Sequence, residues 1–397
     1  MIYLEDQYLN NKKVIIRVDL NVPFDKYDNI TDTSRIEACK ETIDLVIKKG
    51  GSCVLISHLG RPNGKDKSLS LKKIVETCSI IFNQTVLFCE NCVGTNAERV
   101  TANLKPGEII LMENLRFYQS ETTGDLAFAK KLSKLGEFYI NDAFGTCHRE
   151  HASTAVIARF FKNKKCAGKL LQKEIEAINQ ISNDGEKPVL AILGGAKVST
   201  KLHIIYSLVK KVDKIIIGGG MAYTFLKAKG GNVGNSLLEN DLISNAKEIL
   251  ALAARLKKKI ILPEDILASK EFDDNSSIKT FKSNDIDNEW MGLDIGQRSM
   301  KRFREEILTS KTILWNGPVG VFEKDLFSKG TASICKSLKY AKKIGANVIV
   351  GGGDSIAALK KLGNKDWVSY ISTGGGALLE SLEGKTLPGI KALDNDY

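Results

Sequence analysis

Short runs of β-branched and other apolar residues alternate along this chain with longer amphipathic stretches. Such alternation is typical of parallel strands joined by helices that cover both faces of a sheet. In the first half of the chain the apolar runs predict strands at 14–18, 53–56, 86–88, 109–112 and 138–140. In the second half they predict strands at 189–193, 214–217, 260–262, 312–315, 347–350 and 370–372. We therefore expect an α/β protein built on doubly wound parallel sheets.

A helix is predicted between the two halves. In the stretch 169–182, Leu171, Ile175 and Ile178 fall near one face of a helix, and polar and helix-breaking residues follow. A helix at this place would join two α/β domains. The predicted organisation is an N-terminal domain, a connecting helix and a C-terminal domain, at residues 1–168, 169–186 and 187–378.

Composition narrows the class of protein. The chain has 397 residues, of which 43% are hydrophobic, so it can bury large cores and is not expected to be disordered. No apolar run reaches the roughly 18 residues of a membrane-spanning helix, and Glu5 and Asp6 argue against a secretory signal. Eight scattered cysteines, with Cys89 and Cys92 as the one CxxC pair, predict reduced core thiols rather than structural zinc. These features predict a cytoplasmic protein.

The net charge of +11 favours anionic partners but does not say which. Nucleic acids, anionic membranes and phosphorylated metabolites are all compatible with it, and so is a lysine-rich surface without a specific partner. The lysines are scattered, with neither a basic tail nor a basic stripe interleaved with aromatic residues. This distribution disfavours nucleic-acid binding.

Cationic residues cluster after the predicted strands of the first half. In open α/β sheets ligands bind beyond the carboxyl ends of the strands, so these positions are candidate site residues. Arginine binds phosphate and carboxylate groups through paired hydrogen bonds. Each arginine could instead pair with a nearby carboxylate, but arginines at successive strand ends favour a crevice for a small polyanion. The residues concerned are Arg35, His58, Arg61, Arg116, His148 and Arg149.

Glycine-rich segments follow four predicted strands of the second half, at 194–195, 218–220, 351–353 and 374–376. Glycines let backbone amides approach phosphate groups closely, and a following helix N-terminus favours negative charge. A single segment of this kind could be a tight turn without a ligand. Four of them in one predicted domain favour a nucleotide or another polyphosphate.

Two common nucleotide-binding motifs are absent from these segments. Tyr223 stands where Gly218-x-Gly220 would need the third glycine of the dinucleotide fingerprint. Leu379 stands where a P-loop ending at Gly384 would need its first glycine. These departures disfavour an NAD enzyme and a P-loop ATPase.

Charged residues near the glycines are further candidates. Lys197 and Lys201 are four residues apart, which predicts a common helix face with a phosphate chain between them, or two solvated lysines. Asp354 follows three glycines and could cap a helix or hold Mg²⁺. Glu323 is a candidate acceptor for a ribose hydroxyl. His148 and His151 have no evident third ligand, so anion binding is expected there rather than a metal.

The order of these motifs over nearly the whole chain resembles the phosphoglycerate kinases. The segments that carry the resemblance are RVDLNVP (17–23), SHLGRP (57–62), ENLRF (113–117), NDAFG (141–145) with His148 and Arg149, GGAKV (194–198), WNGP (315–318), GGGDS (351–355), TGGGA (373–377) and LPG (387–389).

The resemblance implies two Rossmann-like domains that face a cleft, with the segment 379–397 returning to the N-terminal domain. It implies reversible phosphoryl transfer between 1,3-bisphosphoglycerate and Mg-ADP, which gives 3-phosphoglycerate and Mg-ATP. The transfer would be in line, on hinge closure and without a covalent intermediate. The implied partners are these small molecules and Mg²⁺, with neither nucleic acid nor membrane, and the implied state is a monomer.

The resemblance also assigns residues. The implied phosphoglycerate-binding residues are Asp19, Asn21, Arg35, His58, Leu59, Gly60, Arg61, Arg116 and Arg149. The implied nucleotide-binding residues are Gly195, Lys201, Gly219, Gly292, Asn316, Pro318, Glu323, Gly351, Gly352, Gly353, Asp354 and Ser355, with Asp354 as the Mg²⁺ carboxylate. The residues implied to surround the transferred phosphoryl group are Arg35, Lys197, Gly374 and Gly375. Another phosphotransferase on the same fold, or a nucleic-acid-binding protein, stays as the alternative.

Overall fold

The computed structural model describes residues 3–272 and 277–394. The chain divides into two compact units. The first unit comprises the residues up to Ile175 together with the segment from Thr386, and the second comprises Glu176–Lys385. The domain boundaries predicted at residues 168, 186 and 378 stay predictions, which limited proteolysis can test directly.

A parallel sheet forms the centre of the first unit. Its strands are β1 (Lys13–Val18), β2 (Ser52–Ile56), β3 (Val86–Cys89), β4 (Ile109–Met112), β5 (Phe138–Asp142) and β6 (Lys165–Ala167). The strand order is β3-β4-β2-β1-β5-β6, and every neighbouring pair is parallel. The five strands predicted in this half are confirmed. The sequence analysis missed β6, because its three residues are too few to show a period.

Helices cover this sheet, and they are α1 (Ser34–Lys48), α2 (Val75–Phe82), α3 (Thr95–Ala102), α4 (Gln119–Thr122) and α5 (Leu126–Ser133). The longest, α1, buries Ile36, Cys39, Ile43 and Val46, whose spacing places them on one helix face against the strands. All eight cysteines are free and buried, as the composition predicted.

The predicted connecting helix is present as α6 (Lys169–Asn179), and a π-helical turn at Gln180–Asp184 ends it. The helical turns end at Asp184, among the polar residues that follow the predicted helix. The N–H of Lys169 donates to the Thr42 hydroxyl at 2.8 Å, which fixes the start of α6 against α1.

The second unit contains two sheets. Its strands are β7 (Val189–Leu193), β8 (Lys214–Ile217), β9 (Asn232–Val233), β10 (Lys259–Ile261), β11 (Asp265–Ser269), β12 (Ile278–Lys282), β13 (Asp285–Ile286), β14 (Met291–Ile295), β15 (Thr312–Asn316), β16 (Asn347–Val350) and β17 (Tyr370–Ile371). One sheet is parallel, in the order β10-β8-β7-β15-β16-β17, and it contains all six strands predicted in this half.

The other sheet, in the order β14-β11-β12-β13-β9, was not expected. It is mostly antiparallel, and only the β13–β9 pair is parallel. Its strands escaped prediction because they are short or have exposed positions; β12 buries only Phe281 of its five residues. Continuous runs of β-branched residues indicate strands that are buried on both faces, and they do not indicate short or partly exposed strands.

The remaining helices are α7 (Leu202–Lys211), α8 (Met221–Ala228), α9 (Ile243–Arg255), α10 (Gln297–Leu308), α11 (Lys329–Lys343), α12 (Gly353–Leu362), α13 (Gly375–Leu382) and α14 (Pro388–Lys391). The last, α14, belongs to the first unit, where the Gly389 N–H donates to the Cys147 carbonyl oxygen at 2.9 Å. Over the described ranges, the helices are all too short or too polar to cross a bilayer.

Candidate active site

The carboxyl ends of four neighbouring strands carry the polar residues of the first unit. Asp19 follows β1, His58 follows β2, Arg116 follows β4 and Arg149 follows β5. Because β4, β2, β1 and β5 lie side by side and are parallel, these ends meet at one edge of the sheet.

A cavity of about 580 Å³ opens at this edge, and Arg116 and Arg149 are among its lining residues. Three of the predicted arginines line it, and the side chains around it include Arg61, Arg116, Arg149, His151, Asn63, Gln119 and Thr122. Among its charged groups the arginines dominate, so the cavity suits a small anion. We name it the arginine cavity.

The loop after β2 is held between two of the predicted residues. The Gly60 N–H donates to Asn21 Oδ1 at 2.8 Å, and Arg116 Nη1 donates to the Gly60 carbonyl oxygen at 2.7 Å. Asn114 Nδ2 donates to the Leu59 carbonyl oxygen at 2.8 Å. Gly60 has a φ of +62°, a conformation that favours glycine at this turn.

Arg35 has a carboxylate partner in this structure. Its Nη1 lies 2.9 Å from Asp19 Oδ2, and about a third of the Arg35 side chain is exposed. The alternative, that each arginine pairs with a nearby carboxylate, therefore holds for Arg35. The pair still leaves part of the guanidinium accessible from solvent.

Burial and neighbouring cations keep two histidines neutral near the arginine cavity. Burial, followed by Arg17 and Arg116, lowers the pKa of His58 well below its usual range. The same causes lower the pKa of His151 to about 4. Burial and Arg17 also lower the pKa of Arg116. The positive charge at neutral pH therefore comes from the arginines.

In the second unit, the loop after β7 packs against the loop after β15. The Gly194 N–H donates to the Asn316 carbonyl oxygen at 3.1 Å, and the Gly195 N–H donates to the Pro318 carbonyl oxygen at 3.0 Å. A Cβ at Gly194 would lie 2.0 Å from the Pro318 carbonyl oxygen. The two loops can approach this closely because residue 194 has no side chain.

The loop after β8 joins the same group. The Gly219 N–H donates to the Val319 carbonyl oxygen at 3.2 Å, and its φ is +67°. The Met221 N–H donates to the Gly195 carbonyl oxygen at 3.1 Å, so α8 begins against the β7 loop.

The loops after β16 and β17 complete the arrangement. Asn316 Nδ2 donates to the Gly351 carbonyl oxygen at 2.8 Å, and the Gly317 N–H donates to Ser355 Oγ at 2.6 Å. A Cβ at Gly375 would lie 3.0 Å from Gly352 Cα, so α12 and α13 begin close together. The glycine-rich segments thus lie at one edge of the sheet, with two helix N-termini that favour phosphate.

The prediction that Lys197 and Lys201 share a helix face is wrong. Helix α7 begins only at Leu202, and residues 194–201 form a loop and turns. Lys197 is exposed in that loop. Lys201 Nζ donates to the carbonyl oxygens of Gly194 and Asn316, at 2.7 and 2.8 Å. Burial lowers the pKa of Lys201 to about 8, and nearby Asp354 opposes this shift.

Two predicted nucleotide residues stand apart from the glycine-rich loops. Gly292 lies in β14, and a Cβ there would meet the Tyr223 hydroxyl of α8 at 1.9 Å. Glu323 is exposed, and its backbone carbonyl accepts from Lys361 Nζ at 2.9 Å. Gly292 therefore lies against α8, and Glu323 is linked to α12 through Lys361.

Similarity to known proteins covers almost the entire chain. The family model for phosphoglycerate kinase matches residues 4–385. The chain is 47% identical to phosphoglycerate kinase of Campylobacter concisus, over 98% of both proteins. It is 46% identical to cytosolic phosphoglycerate kinase 3 of Arabidopsis thaliana, over 98% of this chain and 97% of the relative. The chain belongs to the phosphoglycerate kinase family.

Solved structures agree with this assignment. The structure of phosphoglycerate kinase from Coxiella burnetii has a TM-score of 0.90 at 37% identity, over 98% of both chains. The enzyme from Pyrococcus horikoshii has a TM-score of 0.83 at 31% identity, over 100% of this chain and 99% of the other. The doubly wound α/β fold predicted from the sequence is therefore confirmed as that of the phosphoglycerate kinases.

A Mg²⁺ ion of the kind these kinases use with nucleotides could be held by Asp354. Magnesium commonly takes one or two protein carboxylates together with substrate phosphates and water. Asp354 is exposed in the first turn of α12, beside the glycine-rich loops, which fits such a ligand. Across residues 3–272 and 277–394, no group of three His, Cys, Asp or Glu side chains could hold a metal by itself.

Several residues of the site were missed by the sequence analysis. Asn63, Gln119 and Thr122 line the arginine cavity beside the predicted His151, and Arg17 lies buried behind His58. Arg17 had a signal in the sequence, since it is a charged residue among the apolar residues of β1 and must find partners there. The others lie in loops and short helices that no periodic pattern marks.

Proposed function

We propose that this protein catalyses reversible phosphoryl transfer between 1,3-bisphosphoglycerate and Mg-ADP, which gives 3-phosphoglycerate and Mg-ATP. Membership of the phosphoglycerate kinase family supports the reaction. The observation that carries the proposal within the structure is the arginine cavity at the strand ends of the first unit. Its charge and size suit a small molecule with phosphate and carboxylate groups.

The first unit would bind the phosphoglycerate. Arg61, Arg116 and Arg149 offer guanidinium groups around one cavity, and paired hydrogen bonds from arginine suit phosphate and carboxylate oxygens. Asn21 Oδ1 accepts from the Gly60 N–H at the same edge, which holds the Asn21 side chain in place, so that Asn21 would orient the ligand with little rearrangement.

The second unit would bind the nucleotide. The glycine-rich loops bring backbone amides and the first turns of α12 and α13 to one place, which suits a chain of phosphates. Lys201 adds a half-buried ammonium group, and Asp354 would hold Mg²⁺ with the phosphate oxygens. That metal would supply further charge neutralisation.

The phosphoryl transfer needs groups that position the two substrates and neutralise their negative charge, and it does not need a general base. The acceptor of the phosphoryl group is a carboxylate, which is ionised near neutral pH. The transferred group carries negative charge on its equatorial oxygens. Arg35, Lys197 and the amides of Gly374 and Gly375 are the groups that we propose surround it. Transfer in line requires both substrates within bonding reach, so the two units would close on them and exclude water.

A trapping assay tests the proposal. The protein is mixed with Mg-ATP, 3-phosphoglycerate and hydroxylamine, which converts the acyl phosphate to a hydroxamate, and ADP is measured. We expect ADP only when both substrates are present. We expect Arg35→Ala and Lys197→Ala each to lower the rate by about 100-fold or more, because each removes a charge from the transferring group. Arg159→Ala and Lys247→Ala, exposed cations of the same two units, are the matched controls.

Folded protein that binds ATP but forms no ADP with 3-phosphoglycerate would contradict the proposal, and the arginine cavity would then need another acceptor. Salt-sensitive binding to any DNA duplex would favour the nucleic-acid alternative instead. Sedimentation at several protein concentrations tests the monomeric state, and cell fractionation tests the cytoplasmic location; we propose both from the family.

A further inference from the structure

Arg17 lies inside β1 with 1% of its surface exposed, and all three of its guanidinium nitrogens have partners. Nε donates to Ser153 Oγ at 2.9 Å, and Nη1 donates to the Val18 carbonyl oxygen. Nη2 lies 3.1 Å from Nδ1 of His58. The proposed functions of the arginine cavity do not use this buried group.

The contact with Arg17 determines where the proton of His58 resides. A guanidinium group can only donate hydrogen bonds, so Nδ1 of His58 must accept one and cannot carry a proton. Burial and the neighbouring arginines lower the pKa of His58, so the ring is neutral at pH 7. Its single N–H must then be on Nε2. In the part of the chain that the structure describes, Nε2 has no protein hydrogen-bond partner, which leaves it available to a ligand.

A second buried charge orients Arg17. Glu121 is fully buried, and its two carboxylate oxygens accept from the hydroxyl and the N–H of Ser153, at 2.6 and 2.9 Å. Because the only hydroxyl proton of Ser153 points to Glu121, the lone pairs of that oxygen are free to accept from Arg17. Burial raises the pKa of Glu121, and Arg17 and Ser153 oppose that shift. With Glu121 ionised, its carboxylate can only accept, and the direction of every hydrogen bond from Glu121 to His58 follows.

We propose that Glu121 and Arg17 are positioning residues that hold His58 as the tautomer protonated on Nε2, so that this N–H donates to an anionic oxygen of the substrate. The inference rests on the proposed function, in which His58 binds phosphoglycerate. Neither Glu121 nor Arg17 needs to touch the substrate. Their effect passes through the imidazole ring.

A spectroscopic measurement tests the tautomer without any assay of activity. The chain has four histidines, so imidazole ¹⁵N labelling gives few signals, and His58→Gln identifies those of His58. In the wild-type protein we expect Nε2 to be protonated and Nδ1 to be a hydrogen-bond acceptor. In Glu121→Gln we expect the Nδ1 signal to move toward that of a free imidazole nitrogen. A wild-type His58 protonated on Nδ1 would overturn the proposal.

Kinetics test the consequence for binding. We expect Glu121→Gln to raise the KM for 3-phosphoglycerate about tenfold, the effect of weakening one hydrogen bond to a charged group. The KM for Mg-ATP should not change. In a His58→Gln background, Glu121→Gln should have no further effect on the KM for 3-phosphoglycerate. An undiminished effect in that background would show that Glu121 acts by another route.

Two serine variants complete the design. Ser153→Ala breaks the same chain of hydrogen bonds with the loss of one oxygen atom, and it replaces Glu121→Gln in both measurements if that variant does not fold. Ser52→Ala is the matched control, because Ser52 is a buried serine at the opposite end of β2 from His58. A wild-type protein without kinase activity would contradict the proposed function, whereas the ¹⁵N measurement would still decide the tautomer.

Discussion

Asp142 gives the stability of the first unit an unusual dependence on pH. This carboxylate lies at the end of β5, is fully buried, and accepts from the Leu171 N–H of α6 at 3.2 Å. Burial raises its pKa to about 7, although the Thr42 hydroxyl and the amides of Leu170 and Leu171 oppose the shift. The perturbation we consider is Asp142→Asn, which keeps the shape of the side chain and removes its titration.

The sign and the size of the effect follow from the two pKa values. An aspartate in the unfolded chain has a pKa of about 3.9. Between that value and the folded pKa of Asp142, about 7, the folded state binds more protons than the unfolded state. The free energy of unfolding therefore falls as the pH rises through this window. From pH 5 to pH 8 the loss is about 2.5 kcal/mol, at about 1.4 kcal/mol for each pKa unit.

The assay must report on the first unit. All three tryptophans, Trp290, Trp315 and Trp367, are in the second unit, so their fluorescence follows the other part of the chain. Urea unfolding read by pulsed hydrogen exchange in peptides of β1 and β5, at one labelling pH, gives the free energy for the first unit. We expect the wild-type value to fall by about 2.5 kcal/mol more than that of Asp142→Asn between pH 5 and pH 8.

The test is how the difference in the free energy of unfolding between the wild-type protein and Asp142→Asn changes with pH. Any effect of the substitution that does not depend on pH cancels in this comparison. Asp44→Asn is the control; Asp44 is an exposed aspartate of α1 that pairs with Lys40. It should leave the pH dependence near that of the wild-type protein. Parallel curves for the wild-type protein and Asp142→Asn would refute the reasoning, since they would mean that Asp142 is already ionised at pH 5 in the folded state.

Three further predictions concern the second unit. Lys201→Met should raise the KM for Mg-ATP about tenfold and leave the KM for 3-phosphoglycerate unchanged. In the wild-type protein, initial rates should show that the KM for Mg-ATP rises above pH 8, because Lys201 loses its charge there. Asp354→Asn should raise the Mg²⁺ concentration for half-maximal activity about tenfold, measured by magnesium titration at fixed ATP. Gly194→Ala should abolish ATP binding in calorimetry, because its Cβ would lie 2.0 Å from the Pro318 carbonyl oxygen.

The sequence predicted the parallel sheets well because their strands are buried on both faces. Strands such as β7 and β15 are continuous apolar runs with every residue buried, and such runs stand out from the helices between them. Strands such as β9 and β13 have two residues each, with one exposed, and form through pairing that a local pattern does not reveal.

The candidate site was predictable to the extent that it depends on topology. Once a parallel sheet is assigned, the carboxyl ends of its strands are known, and Arg116 and Gly194 follow strands directly enough to be placed there. Contacts between distant segments could not be predicted, because they depend on side-chain packing. Lys201 is an example: its carbonyl partners lie 7 and 115 residues away, and the expected helix face does not exist.

The two units carry positive charge in chemically different ways. In the first unit, burial and cationic neighbours keep His58 and His151 neutral, so the charge of the arginine cavity comes from guanidinium groups that do not lose their protons in the physiological range. In the second unit, Lys201 has a half-buried ammonium group whose pKa of about 8 lies close to that range. An anion that binds beside Lys201 favours the protonated amine and so raises its pKa, which couples the charge of this lysine to the presence of phosphate. The positive charge of the arginine cavity is therefore the same with and without its ligand, whereas the positive charge on Lys201 increases when a phosphate binds beside it.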